Sequence, residues 1–173
     1  MTASLPLHYH YTDWSLGTLL LAFAPAGLCA ALPGTDAGLL LSDLKKRHRH
    51  AQLSPVTTDP DGRCAAVVQA LEQPRPTLTM PLAPQGSEFQ RAVWGVLQTI
   101  PAGQTRTYGQ VAALLGKPSA TRAVASACAA NPIAVLIPCH RVLRSDGSLG
   151  GFYWGLDLKR ALLQRESALP ESA

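Results

Sequence analysis

The chain has 173 residues, of which 47% are hydrophobic and 15% charged, and its formal net charge is +4. That composition excludes a disordered chain, which combines few apolar residues with much charge, and the length allows one large domain or two small ones. The charge is uneven: residues 1–86 carry six basic and six acidic side chains and residues 87–173 nine basic and five acidic, so the excess falls in the second half, where it suits a polyanionic partner.

Taken in chain order, the first feature is a run from Trp14 to Thr35 without Asp, Glu, Lys or Arg. Gly17, Pro25, Gly27, Pro33 and Gly34 interrupt it, and no basic segment precedes it, so neither a membrane span nor a secretory signal is expected, and a cytoplasmic protein is. Residues 17–24 and 28–32 around the turn signal Pro25-Ala26-Gly27 predict a β-hairpin. Residues 39–47 predict a helix whose closing basic residues suit its C-terminal end. Residues 64–71 predict another, ended by Pro74-Arg75-Pro76, and residues 77–82 a short strand. The turn cluster 84–86 coincides with the charge shift, which sets the predicted domains at 1–85 and 86–173.

The second domain reads as mostly helical. Ser87-Glu88-Phe89-Gln90 is a capping-box pattern, and Phe89, Val93, Trp94 and Leu97 keep helical spacing until Pro101-Ala102-Gly103. Thr107-Tyr108-Gly109-Gln110 is a second capping box, opening a short helix through Val111, Leu114 and Leu115 with Gly116 in the position of a helix-ending glycine. Ser119 is expected to cap a third helix running to about Ala130. Two short helices joined by a Gly-containing turn make the helix-turn-helix pattern. The third helix has one long cation, Arg122, among small residues, whereas a helix that reads base edges carries Asn, Gln and several Arg. So bare a surface suits a buried helix partner or a close approach to the DNA minor groove.

The cysteines are Cys29, Cys64, Cys128 and Cys139; without a CxxC pair, and too few for a disulfide scaffold, they read as reduced thiols. His8-Tyr9-His10 and His48-Arg49-His50 are read as solvated surface, and no metal site is expected. After Asn131-Pro132 an apolar run, 133–137, delivers Pro138-Cys139-His140-Arg141-Val142. An adjacent imidazole and guanidinium favour the thiolate, which is the nucleophilic form. A carboxylate would orient His140, with Glu166 and Asp157 as candidates. The pattern alone fits a thiol hydrolase, a redox sensor, an alkyl acceptor or a buried inert cysteine.

The stretch from Asn131 through Val142 (NPIAVLIPCHRV) resembles the signature of the O6-alkylguanine-DNA alkyltransferases. The resemblance extends from Phe89 through Glu166. In Arg122 to Asn131 and in Trp154-Gly155 the chain is particularly similar to the bacterial adaptive-response members. The first half resembles the family more weakly, through the hairpin and Gly27-Leu28-Cys29-Ala30. The resemblance implies an α+β fold: a small RNase H-like N-terminal domain with an antiparallel sheet, then a winged-helix-like C-terminal domain. It also implies that Cys139 takes the alkyl group irreversibly from O6-alkylguanine, and from O4-alkylthymine, in a flipped nucleotide. His140 would accept the thiol proton through a water, Glu166 would hold the imidazole, Tyr108 would protonate guanine N3, and Asn131 would brace the turn before an active-site strand. Backbone groups at Cys139, Val142 and Tyr153 would hold the base, with Phe152 and Trp154 shaping the pocket. Arg122 would fill the vacated stack, while Ser119, Thr121, Ala123, Ala129 and Arg144 would meet the DNA.

The implied partner is double-stranded DNA carrying alkylated guanine, met by a monomer without metal or cofactor. Phe152 stands where the family usually has Tyr. Trp154 stands at a position that is small in the human member, which predicts a narrowed pocket and weak reaction with O6-benzylguanine. Of the structural zinc ligands found in some members, only Cys29 falls near a counterpart. The four-cysteine zinc module of adaptive-response members has none, so neither phosphotriester repair nor transcriptional switching is expected of this chain alone. Three competing readings remain. A non-catalytic lesion binder of the alkyltransferase-like kind would carry another residue in place of Cys139. A helix-turn-helix regulator would need base-reading side chains, and a cysteine hydrolase an oxyanion-hole motif.

Overall fold

The structure, a computed structural model, describes residues 5–167, so the outermost parts of the two predicted domains, 1–4 and 168–173, lie outside it. The chain divides into two units, one holding the residues up to Gln85 together with Pro132–Ala134, the other Gly86–Asn131 and the residues from Val135 onward. The excursion of three residues into the first unit was not visible in the sequence.

The first unit comprises β1 (Leu5–Trp14), β2 (Gly17–Ala24), β3 (Gly27–Gly34), α1 (Ala37–Arg47), β4 (Ala51–Pro55) and α2 (Arg63–Leu71). Its sheet has the order β3-β2-β1-β4. β2 runs antiparallel to both neighbours, whereas β1 and β4 are parallel, so the sheet is mixed rather than antiparallel as expected. The uncharged run that opens the chain is spent on β2 and β3, where Leu19 through Ala24 and Leu28 through Leu32 are buried. Among the described residues no helix is long and apolar enough to cross a membrane.

Local chemistry explains where elements begin. Asp36 accepts from Leu39 N at 2.9 Å and starts α1 two residues ahead of the predicted helix, as a carboxylate cap does. Residues 77–82 do not form the predicted strand; they contribute only an isolated bridge, Leu82 to Leu28. Pro81 O accepts from Leu28 N at 3.0 Å, and a Cβ on Gly27, which holds φ +137, would collide with Pro81 O. That close approach requires glycine. His48, read as surface, is instead 4% exposed, with Nδ1 at 3.2 Å from Gln85 Oε1. The returning segment lies along β3: Ala31 N donates to Pro132 O at 2.9 Å and Ala134 N to Ala31 O at 3.0 Å.

The second unit comprises α3 (Glu88–Gln98), β5 (Arg106–Thr107), α4 (Tyr108–Leu114), α5 (Thr121–Ala129), a 3-10 turn (Cys139–Arg141), β6 (Val142–Leu143) and α6 (Leu156–Arg165). Both capping boxes form, Ser87 with Gln90 and Thr107 with Gln110. The buried Trp94 ring ties α3 to α5 by donating from Nε1 to Ala127 O at 2.8 Å. Gly116 ends α4 at φ +68, and α5 follows, completing the helix-turn-helix. Ser119 does not cap α5: the cap position is Ala120, without a side-chain bond to the helix, and Ser119 is exposed in the turn. The expected active-site strand is also absent. Residues 135–136 form a turn in which Val135 holds φ +69, a left-handed conformation costly for a β-branched residue. Cys139 is therefore delivered by a turn.

Candidate active site

Cys139 opens the 3-10 turn and is 3% exposed. Its backbone N donates to Ile137 O at 2.8 Å. Asn131, fully buried two residues beyond α5, sends Nδ2 to Ile137 O at 2.8 Å and to Cys139 Sγ at 3.2 Å. The amide thus fixes the turn and donates to the sulfur.

His140 comes next in the turn and is fully buried. Its Nε2 lies 2.8 Å from Glu166 Oε1, and Arg141 grips the same carboxylate from Nε at 2.9 Å and Nη2 at 2.7 Å. Arg141 Nη1 donates to Ile100 O, so each of its three guanidinium nitrogens is engaged. Burial pushes Glu166 up, but the hydrogen bonds and charges of His140 and Arg141 outweigh it and bring it down from 4.5 to about 2. Burial lowers His140 below its ordinary 6.5, against the pull of Glu166. A neutral ring that donates from Nε2 to an ionised carboxylate carries its lone pair on Nδ1. That Nδ1 is buried and has no hydrogen-bond partner among the described residues. Asp157, the other candidate carboxylate, is exposed and pairs with Arg160 at 3.3 Å.

A cavity of about 450 Å³ opens on this sulfur. Tyr108, Phe152 and Tyr153 line it together with Cys139. Thr121, Arg122 and Ala129 of α5 line it too, as does Arg144. Burial, with the nearby charges of Cys128 and Cys139, pushes Tyr108 up to about 12, so its phenol stays protonated at neutral pH. Four residues singled out in the sequence stand elsewhere. Ser119 and Ala123 are exposed but do not line the cavity. Val142 is buried, with its carbonyl accepting from Lys159 at 2.7 Å. Trp154 stands behind the cavity wall, edge-on to Phe152 at 5.4 Å and to Tyr153 at 5.6 Å. Any narrowing it causes is transmitted through those two rings.

Sequence reasoning missed two residues. Lys159 of α6 is fully buried, and its ammonium donates to Val142 O, Leu149 O at 2.5 Å and Gly151 O at 3.2 Å. Burial lowers it from 10.5 to about 8, opposed by the cysteines. A lysine in the pattern LDLKRALLQR reads as solvated, and only the carbonyls of β6 and of the loop that follows it reveal otherwise. The second is Cys128, which lines the cavity with Cys139; its place on the apolar stripe of α5 masked it.

A family profile described as the DNA-binding domain of 6-O-methylguanine DNA methyltransferase matches residues 88–168. The Escherichia coli K12 bifunctional transcriptional activator and DNA repair enzyme Ada is 44% identical over 95% of this chain, which spans 46% of Ada. The Salmonella typhimurium regulatory protein ada is likewise 44% identical over 97% of the chain and 48% of its own length, so the chain spans about half of these relatives. The Mycobacterium bovis methylated-DNA–protein-cysteine methyltransferase is 36% identical over 94% of this chain and 93% of its own. Among solved structures, the Mycobacterium tuberculosis OGT crystallised in complex with DNA superposes with TM-score 0.76 at 32% identity, covering 93% of each chain.

Proposed function

The chain belongs to the O6-methylguanine DNA methyltransferase family, and from that premise we propose that it repairs alkylated double-stranded DNA in the cytosol by taking the alkyl group of O6-alkylguanine, and of O4-alkylthymine, onto Cys139. The observation that carries the reading is the arrangement around Cys139. A neutral His140, held by the ionised Glu166, stands next to a thiol that opens on a cavity walled by α5 and Arg122.

A base inside a duplex cannot reach a buried sulfur, so the nucleotide must be extruded, at about a few kcal/mol. The small residues of α5 let it lie close to the minor groove, and Arg122 enters the stack where the base was. Thr121, Ala129 and Arg144, with Ser119 and Ala123 on the same helix and turn, meet the flanking DNA. Cys139 gives its proton to His140 Nδ1 through a water, and the thiolate displaces guanine from the alkyl carbon. The S–C bond forms as the C–O bond breaks, and guanine takes a proton from Tyr108 at N3. The product is a thioether, which has no carbonyl for water to attack, so each chain acts once, as a monomer and without metal or cofactor.

Two substitutions test the reading. Cys139→Ala binds an O6-methylguanine duplex and transfers nothing; transfer that persists would move the acceptor elsewhere. Arg122→Ala slows transfer from duplex DNA at least tenfold more than transfer from the free alkylated base. Equal slowing of both would remove its role in extrusion.

A further inference from the structure

The reading above leaves Cys128 without a task. It is reduced and 7% exposed, and it faces the same cavity as Cys139. One residue spans the two cysteines: Asn131 N donates to Cys128 O at 3.2 Å, and Asn131 Nδ2 donates to Cys139 Sγ at 3.2 Å. The Lys159 ammonium and the Tyr108 phenol both feel both sulfurs. Cys29 and Cys64, by contrast, belong to the first unit. The second unit thus holds two thiols on the wall of one cavity, both within the electrostatic reach of the Lys159 ammonium.

We propose that Cys128 is the resolving thiol of Cys139, so that a hydroperoxide converts the pair to a reversible disulfide that shields the acceptor sulfur from irreversible oxidation. In the first step the Cys139 thiolate attacks the terminal peroxide oxygen. The O–O bond breaks, Cys139 becomes a sulfenic acid, and the leaving oxygen departs as water, or as an alcohol from an organic hydroperoxide. In the second step Cys128 attacks the sulfenic sulfur, the S–O bond breaks, and a second water leaves with the thiol proton. The two thiols lose two electrons and the peroxide gains them.

The order follows from the surroundings. Asn131 donates to Cys139 and His140 stands beside it, whereas burial pushes the Cys128 thiol well above its ordinary range, with the charge of Cys139 adding to the shift. Oxidation of Cys139 to a neutral sulfenic acid removes that second contribution and makes Cys128 the better nucleophile at that moment.

The inference rests on two thiols sharing a cavity and not on alkyl transfer, so its readout is mass. The full chain is treated with hydrogen peroxide without DNA and digested with trypsin. Cleavage after Arg122 and Arg141 places both cysteines in the single peptide 123–141. The expected result is loss of two hydrogens within that peptide, restored by a reductant. In Cys128→Ser, Cys139 instead gains two oxygens that the reductant does not remove, and recoverable Cys139 thiol falls at least tenfold. Oxygen added at Cys139 of the unsubstituted chain without loss of two hydrogens would overturn the proposal. So would a bond from Cys139 to Cys29 or Cys64, or equal thiol recovery in Cys128→Ser. Should Cys128→Ser fail to fold, the peptide mass of the unsubstituted chain decides alone.

Discussion

Among the described residues, two cations are buried in the second unit and are stabilised differently. Arg141 has a carboxylate: Glu166 takes two of its donors and the imidazole of His140 as well. Lys159 has only carbonyl oxygens and the face of Phe152 at 5.8 Å, and burial lowers it to about 8. The Glu166 shift has a definite sign. Its carboxyl lies at about 2 when folded against 4.5 ordinarily, so the stability it contributes is complete above about 4.5 and is lost as pH falls toward 2. The contribution is roughly 3 kcal/mol, at about 1.4 kcal/mol per pKa unit. Glu166→Gln therefore lowers urea stability at neutral pH and flattens the acid limb between pH 4.5 and 2; parallel pH profiles for the two proteins would contradict this. Lys159→Met strands three carbonyls at once and costs about 2–4 kcal/mol, measured by the same urea transitions. The sequence showed Glu166 as one of two candidate carboxylates, because a base needs a partner. It could not show Lys159, whose burial depends on carbonyls 8 to 17 residues earlier in the chain.

Elements whose cause is local were legible, and those whose cause is a distant partner were not. Both capping boxes and the glycine that ends α4 are signals within four residues, and α3 and α4 form where those signals stand. Thr107 caps α4 immediately before Tyr108, so Thr107→Ala loses about 1 kcal/mol, a melting shift of roughly 2–4 °C at this size. Because the cap sets the first turn of α4, the loss also disturbs Tyr108. An unchanged melting temperature would remove the cap from the account. β1 and β4 were missed for the opposite reason. In LPLHYHYTDW Leu5, Leu7, Tyr9 and Tyr11 alternate with Pro6, His8, His10 and Thr12, but Pro6 and the histidines weaken the strand signal; AQLSP contains Pro55. β1 is a strand through its pairing with β2 and β4, and β4 through its parallel pairing with β1. The family resemblance implies a strand after Asn131, where composition shows only an apolar run, yet Ala134 pairs with β3 and Val135 turns.

For the whole chain, the +4 charge belongs to the second half, but not all of that half's positive charge faces solvent. Arg141 is 6% exposed and Lys159 fully buried, which leaves Arg122 and Arg144 as the exposed cations that line the cavity. Arg144→Ala should reduce the salt slope of DNA binding by about 1, while Lys45→Ala in the first unit leaves it unchanged; a Lys45 effect as large would spread the DNA contact to the first unit. The charge shift and the turn cluster 84–86 are local signals in the sequence, whereas the return of 132–134 to the first unit is hidden in an apolar run. The central claim is that Cys139 is a single-use acceptor. It is tested most directly by the intact mass of the chain after incubation with an excess of duplex carrying O6-methylguanine. The account predicts a gain of one CH2 per chain, located on Cys139, with repair stopping when every chain is modified. Unchanged protein, a methyl group on another residue, or repair that continues past one lesion per chain would contradict it.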